Sequence, residues 1–330
     1  MNKNNPLLEV KDLRMYFPAG RRSKSGGDNF IKAVDGVSFS VAQGKTFGLV
    51  GESGCGKTTI GKCILRIHKA TAGQVLYKGS DILAMSDQEF SPLRRKMGMI
   101  FQDPYGSLDP RQNAFSTIKE VYEAGGTKRN QAEVADRVNE LLVTVGLSPE
   151  LGNRYPHEMS GGQRQRVGIA RALACDPEVI VCDEPVSALD VSIQAQIINL
   201  FMDLQKKIGL TYVFVAHDLA VVRHIADVVA VMYLGQIMEM VKSAELYDNP
   251  IHPYTITLLS AIPIVDYYKE QQRKRIILQG EVPSPIHKPT GCPFHPRCNR
   301  AIERCRQEMP VLRDIGNEHY VACHEVSAGI

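Results

Sequence analysis

No apolar run in this 330-residue chain approaches the roughly 20 residues that cross a bilayer as a helix, and stretches such as 228–234 stop far short. A role in a membrane would therefore have to come through partner subunits. The first nine residues are polar and contain no apolar segment of signal-peptide length, so secretion is not expected and the chain reads as cytoplasmic. An excess of charge of one sign is also missing: the formal net charge is +3, which gives no electrostatic case for nucleic acid or an anionic lipid surface as partner. The one basic run, Arg21-Arg22-Ser23-Lys24, sits among Ser, Gly and Asp and reads as a solvated loop. There is no internal repeat and no low-complexity tract.

From residue 7 to about 240 the chain alternates short β-rich runs with helical segments. Residues 47–50, 179–182 and 212–215 are apolar runs that end where a glycine or polar residue appears. Residues 130–145 carry apolar side chains at helical spacing and stop at Gly146. Such alternation predicts an α/β fold with a mainly parallel sheet and a ligand at the carboxyl ends of its strands. Beyond about residue 246 the texture changes. Pro250, Pro253, Pro263, Pro283, Pro285 and Pro289 break any long element and predict an irregular, appended extension.

Two motifs carry chemistry without further help. Gly51-Glu52-Ser53-Gly54-Cys55-Gly56-Lys57-Thr58, followed by Thr59, is a phosphate-binding loop placed after a strand and before a helix. Its glycines let backbone N–H groups turn inward on phosphate oxygens, Lys57 meets the β and γ oxygens, and Thr58 offers a hydroxyl to Mg²⁺. Cys55 reads as a small filler. Downstream, four apolar residues run into Asp183-Glu184, where Asp183 can hold Mg²⁺ through its hydration shell and Glu184 can polarise an attacking water.

Together with these, Gln102, Met159-Ser160-Gly161-Gly162-Gln163, Ser187-Ala188-Leu189-Asp190 and His217 follow one another in an order that resembles the nucleotide-binding subunits of ABC transporters over residues 7–240. The resemblance implies a P-loop NTPase architecture: a RecA-like core and an antiparallel β subdomain within residues 1–245, with a helical subdomain inserted at about 103–175. It also implies that ATP with Mg²⁺ is bound by two such subunits closing head to tail. In that arrangement Ser160 to Gln163 would face the γ-phosphate held by the opposite subunit, aided by the positive end of the helix that follows. Asp190 would lie at the same seam, His217 would hydrogen-bond the γ-phosphate, and Gln102 would bind Mg²⁺ and water and report occupancy to membrane subunits. Counting along the first strand favours Phe17 over the adjacent Tyr16 as the ring that stacks on adenine. Met159 stands where leucine is common, an apolar exchange outside the phosphate contacts.

The extension narrows the resemblance. Asn249-Pro250-Ile251-His252-Pro253-Tyr254-Thr255 and the later cysteines are similar to the tail, here 246–330, of oligopeptide and dipeptide importer ATPases, a subgroup that includes nickel importers. Eight cysteines fall into two sets. Cys55, Cys63, Cys175 and Cys182 are scattered, whereas Cys292, Cys298, Cys305 and Cys323 crowd the end. Cytosolic disulfides are not expected, and the second set resembles the segment that binds a [4Fe-4S] cluster in some of these subunits. Spacing alone leaves a Cys₄ zinc site and free thiols open. The implied partners are a second, related ATPase subunit forming a heterodimer, two membrane-spanning permeases and an extracytoplasmic substrate-binding protein, with this chain on the cytoplasmic face of the membrane. The expected activity is ATP hydrolysis coupled to uptake of peptides, or alternatively of nickel or a metal chelate. A soluble ABC ATPase of DNA repair would carry a long heptad coiled coil between the phosphate-binding loop and the family's signature turn, here Ser160 to Gln163, and one of translation would carry two cassettes; neither is present.

Overall fold

The computed structural model describes residues 6–19, 30–103, 105–124, 130–262, 276, 278 and 280–326. In chain order its strands are β1 (Leu8–Pro18), β2 (Phe30–Val41), β3 (Thr46–Val50), β4 (Ala72–Tyr77), β5 (Ser80–Asp81), β6 (Met97–Ile100), β7 (Val179–Asp183), β8 (Thr211–Ala216), β9 (Val228–Tyr233), β10 (Gln236–Lys242), β11 (Arg313–Asp314) and β12 (Tyr320–Val321). The α-helices are α1 (Lys57–Ile64), α2 (Asp87–Arg94), α3 (Ala114–Ala124), α4 (Gln131–Thr144), α5 (Gly161–Leu173), α6 (Val191–Ile208), α7 (Leu219–Ile225), α8 (Ser243–Asp248), α9 (Pro253–Ser260) and α10 (Glu303–Gln307). The chain divides into two compact units, one of residues 1–40, 46–83 and 216–330, the other of 41–45 and 84–215.

In the first unit a sheet runs β2-β1-β4-β5, in which β4 pairs antiparallel with β1 and with β5. Strand β1 buries Leu8 and Val10, then Leu13 and Met15, a phase shift that an alternating strand cannot make without an extra residue. Asp12, at φ 44°, supplies it as a bulge between Lys11 and Arg14. Opposite it stands Gly73, where a Cβ would lie 2.4 Å from the Asp12 carbonyl oxygen. In the same unit β3 pairs in parallel with β9, and β9 turns back on β10 through Leu234 and Gly235, both with positive φ as a two-residue hairpin loop requires. The second unit holds the parallel strands β6, β7 and β8 in the order β6-β7-β8, all of β7 and β8 being buried. Its helices α3, α4 and α5 pack on one another, α4 burying Val134, Val138, Leu141 and Leu142 on one face and starting at a capping box of Asn130 and Glu133. On α6, Phe201 sets its ring edge-on to Tyr212 and Phe214 at 5.5 and 6.0 Å.

The extension is more regular than its prolines suggest. Pro253 occupies the first turn of α9, where a missing N–H costs nothing, and His252 Nδ1 caps that helix by accepting from the Tyr254 N–H at 3.1 Å. The tail then returns, so that β12 pairs antiparallel with β10, Tyr320 opposite Met240.

Glu239, wholly buried on β10, fastens both segments: it accepts from the backbone N–H groups of Ile251 and His252 at 2.9 and 3.0 Å and lies 2.7 Å from His319 Nε2. Burial pulls the His252 pKa down to about 4, against the opposing pull of Glu239, so its imidazole stays neutral. Glu239→Ala would strand two N–H groups, that of His252 buried and that of Ile251 partly so, and a buried imidazole. Its unfolding free energy is expected to fall by about 3–5 kcal/mol in denaturant titration, with Glu239→Gln losing less.

Candidate functional site

The phosphate loop is built by glycines that no other residue could replace without strain. Gly51, Gly54 and Gly56 adopt φ of 150°, 78° and 106°. A Cβ on Gly51 would stand 2.2 Å from the Met232 carbonyl oxygen, and one on Gly56 only 2.1 Å from that of Ala33. The loop therefore lies on backbone. Gly56 is the N-cap of α1 and brings no capping side chain, so the helix start presents N–H groups of the kind that receive phosphate oxygens. Lys57 and Thr58 open the helix, with Thr59 next. Lys57 is buried and its Nζ donates to the carbonyls of Gly51 at 2.8 Å and Glu52 at 3.1 Å. Cys55 Sγ is 3.7 Å from the same ammonium. Burial pushes the Cys55 thiol up more than Lys57 pulls it down, which fits an inert filler better than a nucleophile. Ser53 and Gly54 form the outer, exposed part of the loop.

In the second unit β7 delivers Asp183, almost fully buried, and then Glu184, half-buried. Glu184 has φ 46°, unusual for a residue with a side chain. Its backbone is fixed from both sides: its N–H donates to the Val215 carbonyl at 3.0 Å, and its own carbonyl accepts from Ser187 N at 3.2 Å and Ser187 Oγ at 3.0 Å. Gln102, 82 residues away in sequence, donates from Nε2 to Glu184 Oε2 at 2.8 Å. The two are thus joined directly.

Ser160 N-caps α5 through a capping box, its Oγ accepting from Gln163 N at 3.2 Å while Gln163 Oε1 accepts from Ser160 N at 3.0 Å. Gly161 and Gly162 rest against the following segment. A Cβ would come within 3.2 Å of Leu189 Cδ2 at the first and 2.8 Å of Ile193 Cγ2 at the second. The signature turn and the segment ending at Asp190 are therefore one packed piece. Asp190 is the exposed N-cap residue of α6, and its carboxylate makes no cap hydrogen bond. His217, exposed, directly follows β8, and the next residue, Asp218, caps α7 by accepting from Ala220 N at 2.7 Å. Of the paired aromatics, Tyr16 is engaged through its hydroxyl, which donates to Asp35 Oδ1 at 2.5 Å. Phe17 carries no such tether and sets its ring edge-on to His68 at 5.4 Å.

Comparison with known proteins places these parts in a family. The ABC transporter family model matches residues 34–187, and the model for the oligopeptide/dipeptide transporter C-terminal region matches residues 238–305. The oligopeptide transport ATP-binding protein AppF of Bacillus subtilis is 51% identical over 323 residues, covering 96% of this chain and 97% of its own. The chain belongs to the ABC transporter ATP-binding proteins of the oligopeptide type. The OppF protein of Salmonella typhimurium is 49% identical over 322 residues, at 97% and 96% coverage. Among solved structures, the dimeric, ADP- and Pi-bound ATP-binding cassette MJ0796 superposes with a TM-score of 0.64 at 28% identity, covering 72% of this chain and 98% of that one. The fold is that of a P-loop ABC ATPase, and ATP with Mg²⁺ is what a member of this family requires.

One expectation for this ATP-binding protein needs correction. Among the described residues no group of three or more His, Cys, Asp or Glu side chains is placed to hold a metal ion, so a metal-binding extension, with a [4Fe-4S] cluster or zinc on Cys292, Cys298, Cys305 and Cys323, is not supported. The cysteines are nonetheless neighbours. Burial, then the charge of the other three thiols, raises Cys292 to about 11; burial also raises Cys298, with Cys323 and Cys305 adding to it, and Cys323, with Cys305 and Glu325 adding to it. They are near enough to oppose one another's ionisation but are not drawn into a ligand set. Nearby, His295 Nδ1 is engaged by the Cys292 carbonyl and His324 Nε2 by that of Glu308, each at 2.9 Å. Sequence reasoning gave no role to Glu52, Tyr254 or Arg297, which meet at the phosphate loop. The only signal was an acid inside an anion-binding loop.

Proposed function

We propose that this chain is the ATP-hydrolysing subunit of a peptide importer, bound to the cytoplasmic face of a membrane by two permease subunits fed by an extracytoplasmic substrate-binding protein. The observation that carries the reading is the pairing of a complete ATPase motif set with the oligopeptide/dipeptide transporter C-terminal region in one chain, together with near full-length similarity to oligopeptide transport ATP-binding proteins. No helix among the described residues is long and apolar enough to cross a membrane, which suits attachment through partners.

In the proposed reaction Lys57 exchanges the carbonyls of Gly51 and Glu52 for the β and γ oxygens of ATP, while the N–H groups at the start of α1 take the remaining phosphate charge. Thr58, Asp183 through water, and Gln102 would hold Mg²⁺, whose chemistry is to neutralise charge on the phosphates. Glu184, oriented by its bond to Gln102, takes the proton of the attacking water. His217 hydrogen-bonds the γ-phosphate. Phe17 stacks on adenine, since the Tyr16 hydroxyl is committed to Asp35. The Ser160 to Gln163 turn and Asp190 serve the ATP of a sister ATPase, proposed to be a related but distinct chain.

The test is to purify the membrane complex through this subunit, identify its companions and measure ATP hydrolysis against candidate cargoes. Peptides in the presence of the binding protein are expected to raise turnover severalfold. Stimulation by free nickel alone would overturn the peptide reading in favour of metal import. The cluster reading of the tail belongs to this proposal only in the form that the four thiols draw together around iron and sulfide. Protein purified without oxygen is then expected to contain iron and acid-labile sulfide in equal amounts, whereas stoichiometric zinc or no metal would remove it.

A further inference from the structure

Glu52 is an odd residue for its place. It follows Gly51 in a loop that must accept the negative charge of a nucleotide, yet it carries a carboxylate. Each of its polar groups is engaged. Its N–H donates to Tyr254 Oη at 3.0 Å, and its carbonyl accepts from Lys57 Nζ at 3.1 Å and from the Cys55 N–H at 3.3 Å. Its carboxylate is met by both terminal nitrogens of Arg297, Nη1 to Oε2 at 2.8 Å and Nη2 to Oε1 at 3.1 Å. Such a fork fixes geometry as well as charge. The pair is not a surface ornament: the Arg297 side chain is 7% exposed and that of Glu52 24%.

The support for the fork is an aromatic bed. Tyr233 packs against Tyr254 and Phe294 with ring centroids 4.8 and 5.4 Å apart, and Tyr254 against Phe294 at 5.2 Å. The Arg297 guanidinium lies 5.9 Å from the Tyr233 ring, with Nη1 3.4 Å from its hydroxyl. Tyr254 belongs to α9 and Arg297 to the short 3-10 turn His295–Arg297, so both groups come from the extension.

We propose that the extension clamps the phosphate loop, with Arg297 and Tyr254 acting as positioning residues for nucleotide binding. Two effects follow from the geometry. Arg297 cancels the charge that Glu52 would otherwise set beside the phosphates. Holding Glu52 by its N–H and its carboxylate also orders a loop rich in left-handed glycines before ATP arrives, so less freedom is lost on binding. Because the Glu52 carbonyl is one resting point of Lys57, a displaced Glu52 also displaces the lysine.

The inference rests on nucleotide binding by residues 51–58 and not on the importer reading, so it is tested on the isolated full-length chain by titration with a fluorescent ATP analogue and Mg²⁺. Wild-type binding checks the loop itself. Arg297→Ala is expected to weaken MgATP about tenfold, and Arg297→Lys, which keeps the charge without the fork, to fall between. Since Glu52→Gln acts through the same contact, the double variant should bind no more weakly than Arg297→Ala. In hydrolysis assays of the assembled complex the KM for ATP should rise while kcat at saturating ATP stays within about twofold. Unchanged affinity in a folded Arg297→Ala chain, losses that multiply in the double variant, or a fall in kcat at constant KM would each overturn the clamp. Should Arg297→Ala fail to fold, Tyr254→Phe removes a single hydroxyl and is expected to weaken MgATP severalfold; no change there would count against the proposal equally.

Discussion

Glu184→Gln is expected to bind MgATP as the unmodified chain does and to lose about 10²–10⁴ of its turnover, the range that removal of a positioned general base produces. The substitution is close to a pure test of basicity. Backbone geometry at this position is held by Val215 on one side and Ser187 on the other, so the φ of 46° does not depend on the side chain. A glutamine also keeps an oxygen where Gln102 Nε2 now donates, 2.8 Å away. What disappears is the ability to take a proton from water. Phosphate release in steady state, set beside nucleotide affinity on the same sample, reads the two apart. Turnover near the unmodified rate would remove Glu184 from the role of base and leave Gln102 without the partner through which it would act.

Gly56→Ala is expected to abolish detectable MgATP binding and to lower the melting temperature. Two separate costs coincide there. An L-residue at φ 106° is strained wherever it stands, and the new methyl would sit 2.1 Å from the Ala33 carbonyl oxygen, a backbone atom that cannot swing away. Gly54→Ala is the natural control, since at φ 78° it has no atom within 4 Å of the added Cβ and meets only the conformational cost of about 1–2 kcal/mol. Equal losses at the two positions, in calorimetry and nucleotide titration, would mean that backbone freedom and not close packing sets the loop.

Much of the site was legible because its chemistry is local in sequence. Residues 51–58 must lie in order for a backbone to wrap phosphates, and a buried strand that ends in Asp183 announces itself as an apolar run. Ser160 and Gln163 stand three apart because one turn of helix brings a cap and its reciprocal partner together. The parts that stayed hidden are those set by long-range packing. Arg297 and Glu52 are 245 positions apart, and nothing in either neighbourhood names the other. Strand β12 has two residues, too few to show a period, and owes its conformation to β10. The bulge at Asp12 is visible only through the phase of buried residues on either side. For the cysteines, spacing along the chain described which thiols are neighbours but not how closely they approach, and it is approach that a metal demands.

The return of the tail onto β10 has a bearing on solubility. An unpaired sheet edge offers its N–H and C=O groups to any other chain that meets it, which invites mispairing. Here β12 covers β10, and β11, which lies outermost, contains only the exposed Arg313 and Asp314. A very short, charged border strand is a poor template for further addition. The same extension that reaches the phosphate loop through Tyr254 and Arg297 thus also covers this edge of the sheet.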